Sequence, residues 1–159
     1  MVSRYKGPLL ATRIGQARHE LFDGAGAALH GARWSRKGQS VIYAATSFSG
    51  ALLEILVHSN LGRVPRGFAY IQIQIQVEVE MEEIGPEDVP GWDAADGRAS
   101  RAWGSRWYEE QRTAVLLVPS VPSGGVERNV LIHQRHPDFA RITASVPMPV
   151  MWDQRIFGR

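Results

Sequence analysis

Hydrophobic and polar positions change period several times along this chain, and each change marks an element. Residues 70–81 alternate strictly, with Ile71, Ile73, Ile75, Val77, Val79 and Met81 on one side and glutamine or glutamate between most of them. A period of two over that length predicts one long strand, its apolar face on a core and its Gln/Glu face in solvent. Residues 9–14 and 40–45 predict two shorter strands. Residues 114–118 form a continuous apolar strand that Pro119 ends, and 129–132 start another after the turn at Ser123-Gly124-Gly125. Residues 142–146 and 150–152 complete a mixed sheet. Between the strands, 15–32 read as a Gly/Ala-rich loop with one helical turn and 85–97 as a Pro/Gly/Asp-rich loop containing Trp92. Residues 98–111 predict a helix carrying Trp103 and Trp107.

The run 48–58 has the helical period. At about 100° per residue, Phe48, Ala51, Leu52, Ile55 and Leu56 cover one broad side, and Leu53 and Val57 extend it. Ser47, Gly50, Glu54 and His58 share the remaining stripe by i, i+4 spacing. Thr46 or Ser47 supplies the N-cap and Gly62, just past Asn60 and Leu61, a C-terminal stop. A helix apolar on nearly all sides is predicted to be buried, and its carboxylate then needs a partner or a task. Arg33 and Tyr43 are the nearest partners in sequence. On the helix alone, a structural Arg–Glu pair and a catalytic Glu54 weigh equally.

Composition narrows the class. A chain of 159 residues, 44% hydrophobic and 21% charged, suffices for one domain with a real core. With no internal repeat, linker or low-complexity segment, the prediction is a single α+β domain over 1–159, with a mixed β-sheet core and a buried helix. The apolar runs fall short of the ~20 residues that span a bilayer, and the N-terminal residues hold no apolar signal segment. There is no cysteine, hence no disulfide or thiolate metal site, which fits a cytoplasmic protein. The formal charge is +2, and the arginines are scattered rather than clustered, so direct nucleic-acid binding is not expected.

Strong catalytic signatures are missing: no GxxxxGK[ST] loop, no GxGxxG, no GxSxG. His133 and His136 are three apart but adjoin Pro137 in a turn without an acidic third ligand, so surface or capping roles are expected and no metal. Ser120 follows a buried strand and reads by itself as a turn residue. The weight comes from the set. Arg13, Arg33, Tyr43, Glu54 and Ser120 lie at strand ends or on the helix, and strand ends of one sheet commonly meet at one cleft. Two arginines suit a pyrophosphate, and an aromatic ring suits a base or nicotinamide. A carboxylate suits the positive charge that builds as a glycosidic bond breaks.

Gly31-Ala32-Arg33-Trp34, residues 41–47 and residues 51–58 resemble the RES-domain proteins, named after an Arg, a Glu and a Ser. The resemblance continues through Gly104-Ser105-Arg106-Trp107, Val118-Pro119-Ser120-Val121, Asn129-Val130-Leu131-Ile132 and His136-Pro137-Asp138-Phe139 to Asp153-Gln154-Arg155-Ile156. It implies a fold similar to ADP-ribosyltransferases, action on NAD, and a toxin of a bacterial toxin–antitoxin pair. Some members hydrolyse or phosphorolyse NAD, and others transfer ADP-ribose to protein; a catalytically inactive NAD- or antitoxin-binding module is an alternative, and a nuclease toxin a more distant one. The implied catalytic residues are Arg33, Glu54 and Ser120. Arg13, Arg33, Tyr43, His58 and Asn129 would bind NAD, with Trp34 in support and Gly50 leaving room beside Glu54. The implied partner is a helix-turn-helix antitoxin whose C-terminal segment covers the NAD cleft, in a hetero-oligomer. Where the family often has Asn-Pro after the Asn-Val-Leu strand, this chain has His133-Gln134.

Overall fold

The computed structural model describes residues 1–58 and 63–158. Its strands are β1 (Ser3–Lys6), β2 (Leu9–Gln16), β3 (Val41–Ala45), β4 (Phe68–Ile75), β5 (Glu80–Glu83), β6 (Val115–Pro119), β7 (Arg128–His133), β8 (Ile142–Ala144) and β9 (Met148–Pro149). The α-helices are α1 (Ala25–His30), α2 (Phe48–His58) and α3 (Arg98–Glu109). The strands form one sheet in the order β1-β5-β6-β7-β3-β2-β4-β8, with β9 also on β4. Among the described residues only β5 and β6 run parallel, and the other pairs are antiparallel. The expected α+β domain with a mixed sheet is what forms.

The central strands explain the two continuous apolar runs. Val115 and Leu117 of β6, with Val130 and Ile132 of β7, face a core shared with Ile42, Ile71, Ile73 and Met81. Leu116, Val118 and Leu131 face the other way, onto Trp34, Trp92 and Trp107 under α3. Strands buried on both faces lose the alternation that half-buried strands keep.

Three expectations need correction. Residues 70–81 are not one strand: a turn at 76–79 separates β4 from β5, which lie towards opposite ends of the strand order. The turn preserves parity, so Ile75, Val79 and Met81 stay buried while Val77 is 62% exposed, and period two cannot register such a break. The neighbouring ribbon bends at the same place, with Gly7 donating its backbone N–H to the Val79 carbonyl at 3.1 Å. Residues 150–152 are not a strand; the last pairing is made by β9, two residues long. And α2 is not buried all round.

Ser47 caps α2 as expected, its Oγ accepting the Gly50 N–H at 2.9 Å. Only Ala51 is buried, and Phe48, Leu52 and Ile55 pack partly against Ile14, Ala45 and Val150. Leu53 and Val57 are 38% and 54% exposed. The helix lies over β2 and β3 rather than inside the core, and its apolar outer face meets no covering element among the described residues. The Gly62 stop lies outside the described residues.

His133 and His136 are both structural. His133 is buried, stacked on Tyr108 with ring centroids 3.8 Å apart, and its Nε2 lies 2.9 Å from the Tyr108 carbonyl. Burial lowers its pKa. His136 caps the following turn by accepting the Asp138 N–H at 3.1 Å. The family departure at Gln134 is used as well: its Oε1 accepts the Gly24 N–H at 2.7 Å. Among the described residues no helix is long and apolar enough to cross a membrane.

Candidate active site

The sheet opens between β2 and β3. These neighbours share a single residue pair, Thr12 with Ala45, whereas β2 and β4 pair along eight residues. A cleft of about 740 Å³ occupies the splay, within the range of about 300–1,000 Å³ usual for small-molecule sites. Thr12, Arg13 and Ile14 wall it from β2, and Tyr43, Ala44 and Ala45 from β3. Glu54, Ile55 and His58 reach it from α2; Arg33, Asp96 and Arg101 close the far side.

Register across the strands places the carboxylate's partners. Ala45 pairs with Asn129, and Asn129 with Val118, so the ends of β3, β7 and β6 line up beneath α2. Asn129 Nδ2 donates to Glu54 Oε1 at 2.7 Å. Ser120 Oγ donates to the same oxygen at 3.4 Å, a long bond. Both donors are neutral, and Oε2 has no hydrogen bond among the described residues. No arginine lies within ion-pair distance of Glu54 there either, so the structural Arg–Glu pair weighed from sequence is not formed.

Arg33 is held elsewhere. Its Nη1 donates to the carbonyls of Trp92 at 3.1 Å and Ala94 at 2.8 Å. Its loop is set by α3, whose Gly104 packs so close to the Trp34 carbonyl that a Cβ would collide with it. Tyr43 fixes the same loop from β3: its hydroxyl accepts the Trp34 N–H at 3.2 Å and lies 2.8 Å from Ser35 Oγ. Burial pushes that hydroxyl's pKa up to about 12, so Tyr43 is neutral at physiological pH. Arg13 reaches across the splay, with Nη1 3.5 Å from the Tyr43 carbonyl. Desolvation lowers its pKa, partly countered by the charge of Asp23, but an arginine this far up the scale stays charged.

Arg13, Arg33, Tyr43, Glu54, His58 and Asn129 therefore line one cleft. Ser120 does not line it; it is 5% exposed and touches the cleft only through Glu54. Its backbone makes the expected turn, with N–H to Glu127 O and carbonyl from Gly125 N–H. Gly50 does not make room for a ligand, because a Cβ there would meet Glu127 and Ser47. Sequence reasoning missed Thr12, Asp96, Gly97 and Arg101. Asp96-Gly97 before a helix was legible as turn chemistry, but nothing local ties it to Arg33.

Fold and cleft together define a single α+β domain with its site at a splay in a mostly antiparallel sheet, one carboxylate facing an arginine-bearing wall. The RES domain family model matches residues 10–153, and this chain belongs to the RES-domain family. It is similar to the Prs ADP-ribosylating toxin of Sphingobium sp. (strain YBL2), 42% identical over 142 residues, covering 86% of each chain. It is also similar to Toxin Res of Yersinia enterocolitica serotype O:8, 36% identical over 138 residues, covering 84% of this chain and 88% of that one. Among solved structures, the Mycobacterium tuberculosis MbcT–MbcA toxin–antitoxin complex contains a chain with TM-score 0.74 at 16% identity. The match covers 91% of this chain and 85% of that one, and shows a shared fold.

Proposed function

We propose that this protein is the toxin of a toxin–antitoxin pair and that its cleft cleaves the nicotinamide–ribose bond of NAD. The observation that carries this reading is Glu54: a carboxylate in a cleft of about 740 Å³, oriented by neutral donors, with no cation paired to it among the described residues. A group left anionic and preorganised suits the stabilisation of a developing positive charge. As the C1′–N bond breaks, its electron pair leaves with nicotinamide and the ribose becomes oxocarbenium-like. Glu54 Oε2 then faces that charge while Asn129 and Ser120 hold Oε1. Ser120 acts through Glu54 rather than as a nucleophile. Arg33 holds the diphosphate and Arg13 the dinucleotide from β2, with Tyr43 and His58 at the nicotinamide end.

The acceptor at C1′ separates two forms of this reading. Water or inorganic phosphate makes a NAD-degrading enzyme. A protein side chain makes an ADP-ribosyltransferase, a form favoured by one observation, the 42% identical relative named for ADP-ribosylation of Prs. The partner would be a helix-turn-helix antitoxin whose C-terminal segment covers the cleft, in a hetero-oligomer acting in the cytoplasm. The toxin–antitoxin complex among its structural neighbours supports the pairing.

Purified protein incubated with NAD, alone, with inorganic phosphate, or with cell lysate, is expected to release nicotinamide in at least one condition. Absence of release in all three refutes NAD cleavage. A labelled protein band in lysate selects transfer, and free ADP-ribose or its phosphate selects degradation.

A further inference from the structure

Two guanidinium groups reach the far wall of the cleft from different elements. Arg33 lies in the loop before β3 and is held by the carbonyls of Trp92 and Ala94. Arg101, in the first turn of α3, donates from Nε to the Ala32 carbonyl at 3.2 Å and from Nη1 to the Asp96 carbonyl at 3.4 Å. Each arginine is thus fixed by the other's loop. Neither makes an ion pair with a carboxylate among the described residues. The one acid on this wall, Asp96, already accepts the Arg98 N–H on Oδ1 at 3.0 Å.

The two cations converge on Gly97. The point where a Gly97 Cβ would stand is 3.3 Å from Arg101 Nη2 and 3.8 Å from Arg33 Nη1. Gly97 has φ +63, so the backbone itself disfavours a side chain there, and the space between the guanidiniums stays open. Like charges gathered around one point, with hydrogen bonds among the described residues only to neutral carbonyls, repel unless an anion joins them. Beyond Arg101 the positive character continues: a second cavity of about 360 Å³ shares Gly31, Ala32 and Arg101 with the cleft and adds His30, Arg36 and Lys37. Arg36 is partly offset by Glu109 at 3.6 Å.

We propose that Arg101 is a diphosphate-positioning residue, forming with Arg33 a two-arginine clamp around Gly97. Two forks on opposite sides of one gap match two linked phosphates better than a single anion, because each guanidinium can take one phosphate bidentately. This deepens the NAD reading and rests on it for the identity of the dinucleotide. The diphosphate then lies at the Gly97 end of the cleft, with the ribose to be cleaved towards Glu54.

The test titrates the full-length protein with ADP and, separately, with adenosine, by calorimetry. Arg101→Gln keeps donors for the carbonyls but removes the charge, and Arg101→Lys keeps the charge but loses the fork. Loss of one charge-assisted fork is expected to weaken ADP by about tenfold to a hundredfold in Arg101→Gln, with adenosine affinity unchanged. Arg101→Lys is expected to fall between that variant and wild type. Equal weakening of ADP and adenosine, unchanged ADP affinity, or no ADP binding by wild type overturns the clamp. If Arg101→Gln does not fold, ADP affinity in Arg101→Lys equal to wild type overturns it too, and selective weakening supports it. Nicotinamide release separates this from the parent reading. Selective loss of ADP in a protein that never releases nicotinamide keeps the clamp and removes NAD cleavage. Release with the KM for NAD unaltered in Arg101→Gln removes the clamp and keeps the cleavage.

Discussion

Glu54 and Glu82 are both carboxylates held by other side chains, and the protein treats them in opposite ways. Glu82 on β5 is completely buried and paired with two arginines. Arg4 Nη2 lies 2.9 Å from its Oε1, and Arg112 Nη2 3.1 Å from its Oε2, within ion-pair range though off the line of a hydrogen bond. Those contacts tie β1, β5 and the turn after α3 together. Among the described residues Glu54 receives only an amide and a hydroxyl, on one oxygen, in an open cleft. A buried charge is neutralised when its task is structural; one that must meet a charge arising elsewhere is oriented and left bare. The ion pair weighed for Glu54 from sequence does exist in this protein, but at Glu82.

The strongest test of that contrast exchanges the two roles. Glu54→Gln keeps shape and hydrogen bonding but removes the charge, and should cut nicotinamide release about a hundred- to a thousandfold while leaving Tm unchanged. Glu82→Gln should do the reverse. It strands Arg112 beside a neutral amide, at a cost of about 3 kcal/mol, discounted because Arg4 is largely exposed. That corresponds to a Tm lower by about 10 °C, with kcat retained in the folded fraction. A collapse of stability in Glu54→Gln, or a loss of kcat with normal Tm in Glu82→Gln, breaks the distinction.

A finer division follows within the cleft. Asn129 bonds Glu54 at 2.7 Å and Ser120 at 3.4 Å, so the amide does most of the positioning. Asn129→Ala should lower kcat by about tenfold, as expected for one hydrogen bond to a charged group, and Ser120→Ala by less, with KM nearly unchanged in both. A larger loss in Ser120→Ala marks the hydroxyl as chemically active after all.

These contrasts show what was legible in the chain. The strands of the β6–β7 centre, the Ser47 cap and the convergence of Arg13, Arg33, Tyr43 and Glu54 follow from local pattern and from ordered motifs. The pairing of Glu54 was not, because its partners sit 66 and 75 residues away at the ends of β6 and β7. The apolar stripe of α2 suggested burial, but a helix roofing a cleft covers apolar surface on one side only. The break at Val77 hid behind an unbroken alternation. Arg101 was invisible because its place beside Arg33 depends on Gly97 and the Arg33 loop meeting on one wall of the cleft.

The smallest expected effect concerns one tyrosine on each side of the same comparison. Tyr43 belongs to the cleft, and burial pushes its pKa up to about 12 against the lowering pull of its bonds to Ser35 and Trp34 and of the Arg101 charge. Tyr5 belongs to the ion-pair edge, where desolvation and then the charge of Glu83, 3.2 Å from its hydroxyl, give about 12 as well. In both, the folded state keeps its proton between pH 10 and about 12, where the unfolded chain has lost it. The folded state binds more protons there, so stability is intact below pH 10 and falls as pH rises through that window. Tyr5 is 40% exposed and screened by solvent and salt, so Tyr43 should dominate the slope. Denaturant midpoints between pH 9 and 11 should therefore flatten more in Tyr43→Phe than in Tyr5→Phe. At pH 7, Tyr43→Phe should also lose about 1 kcal/mol with its bonds to Trp34 and Ser35. Equal slopes in the two variants, or a Tyr5 effect that survives high salt, would place the two hydroxyls in equivalent environments and erase the difference between cleft and edge.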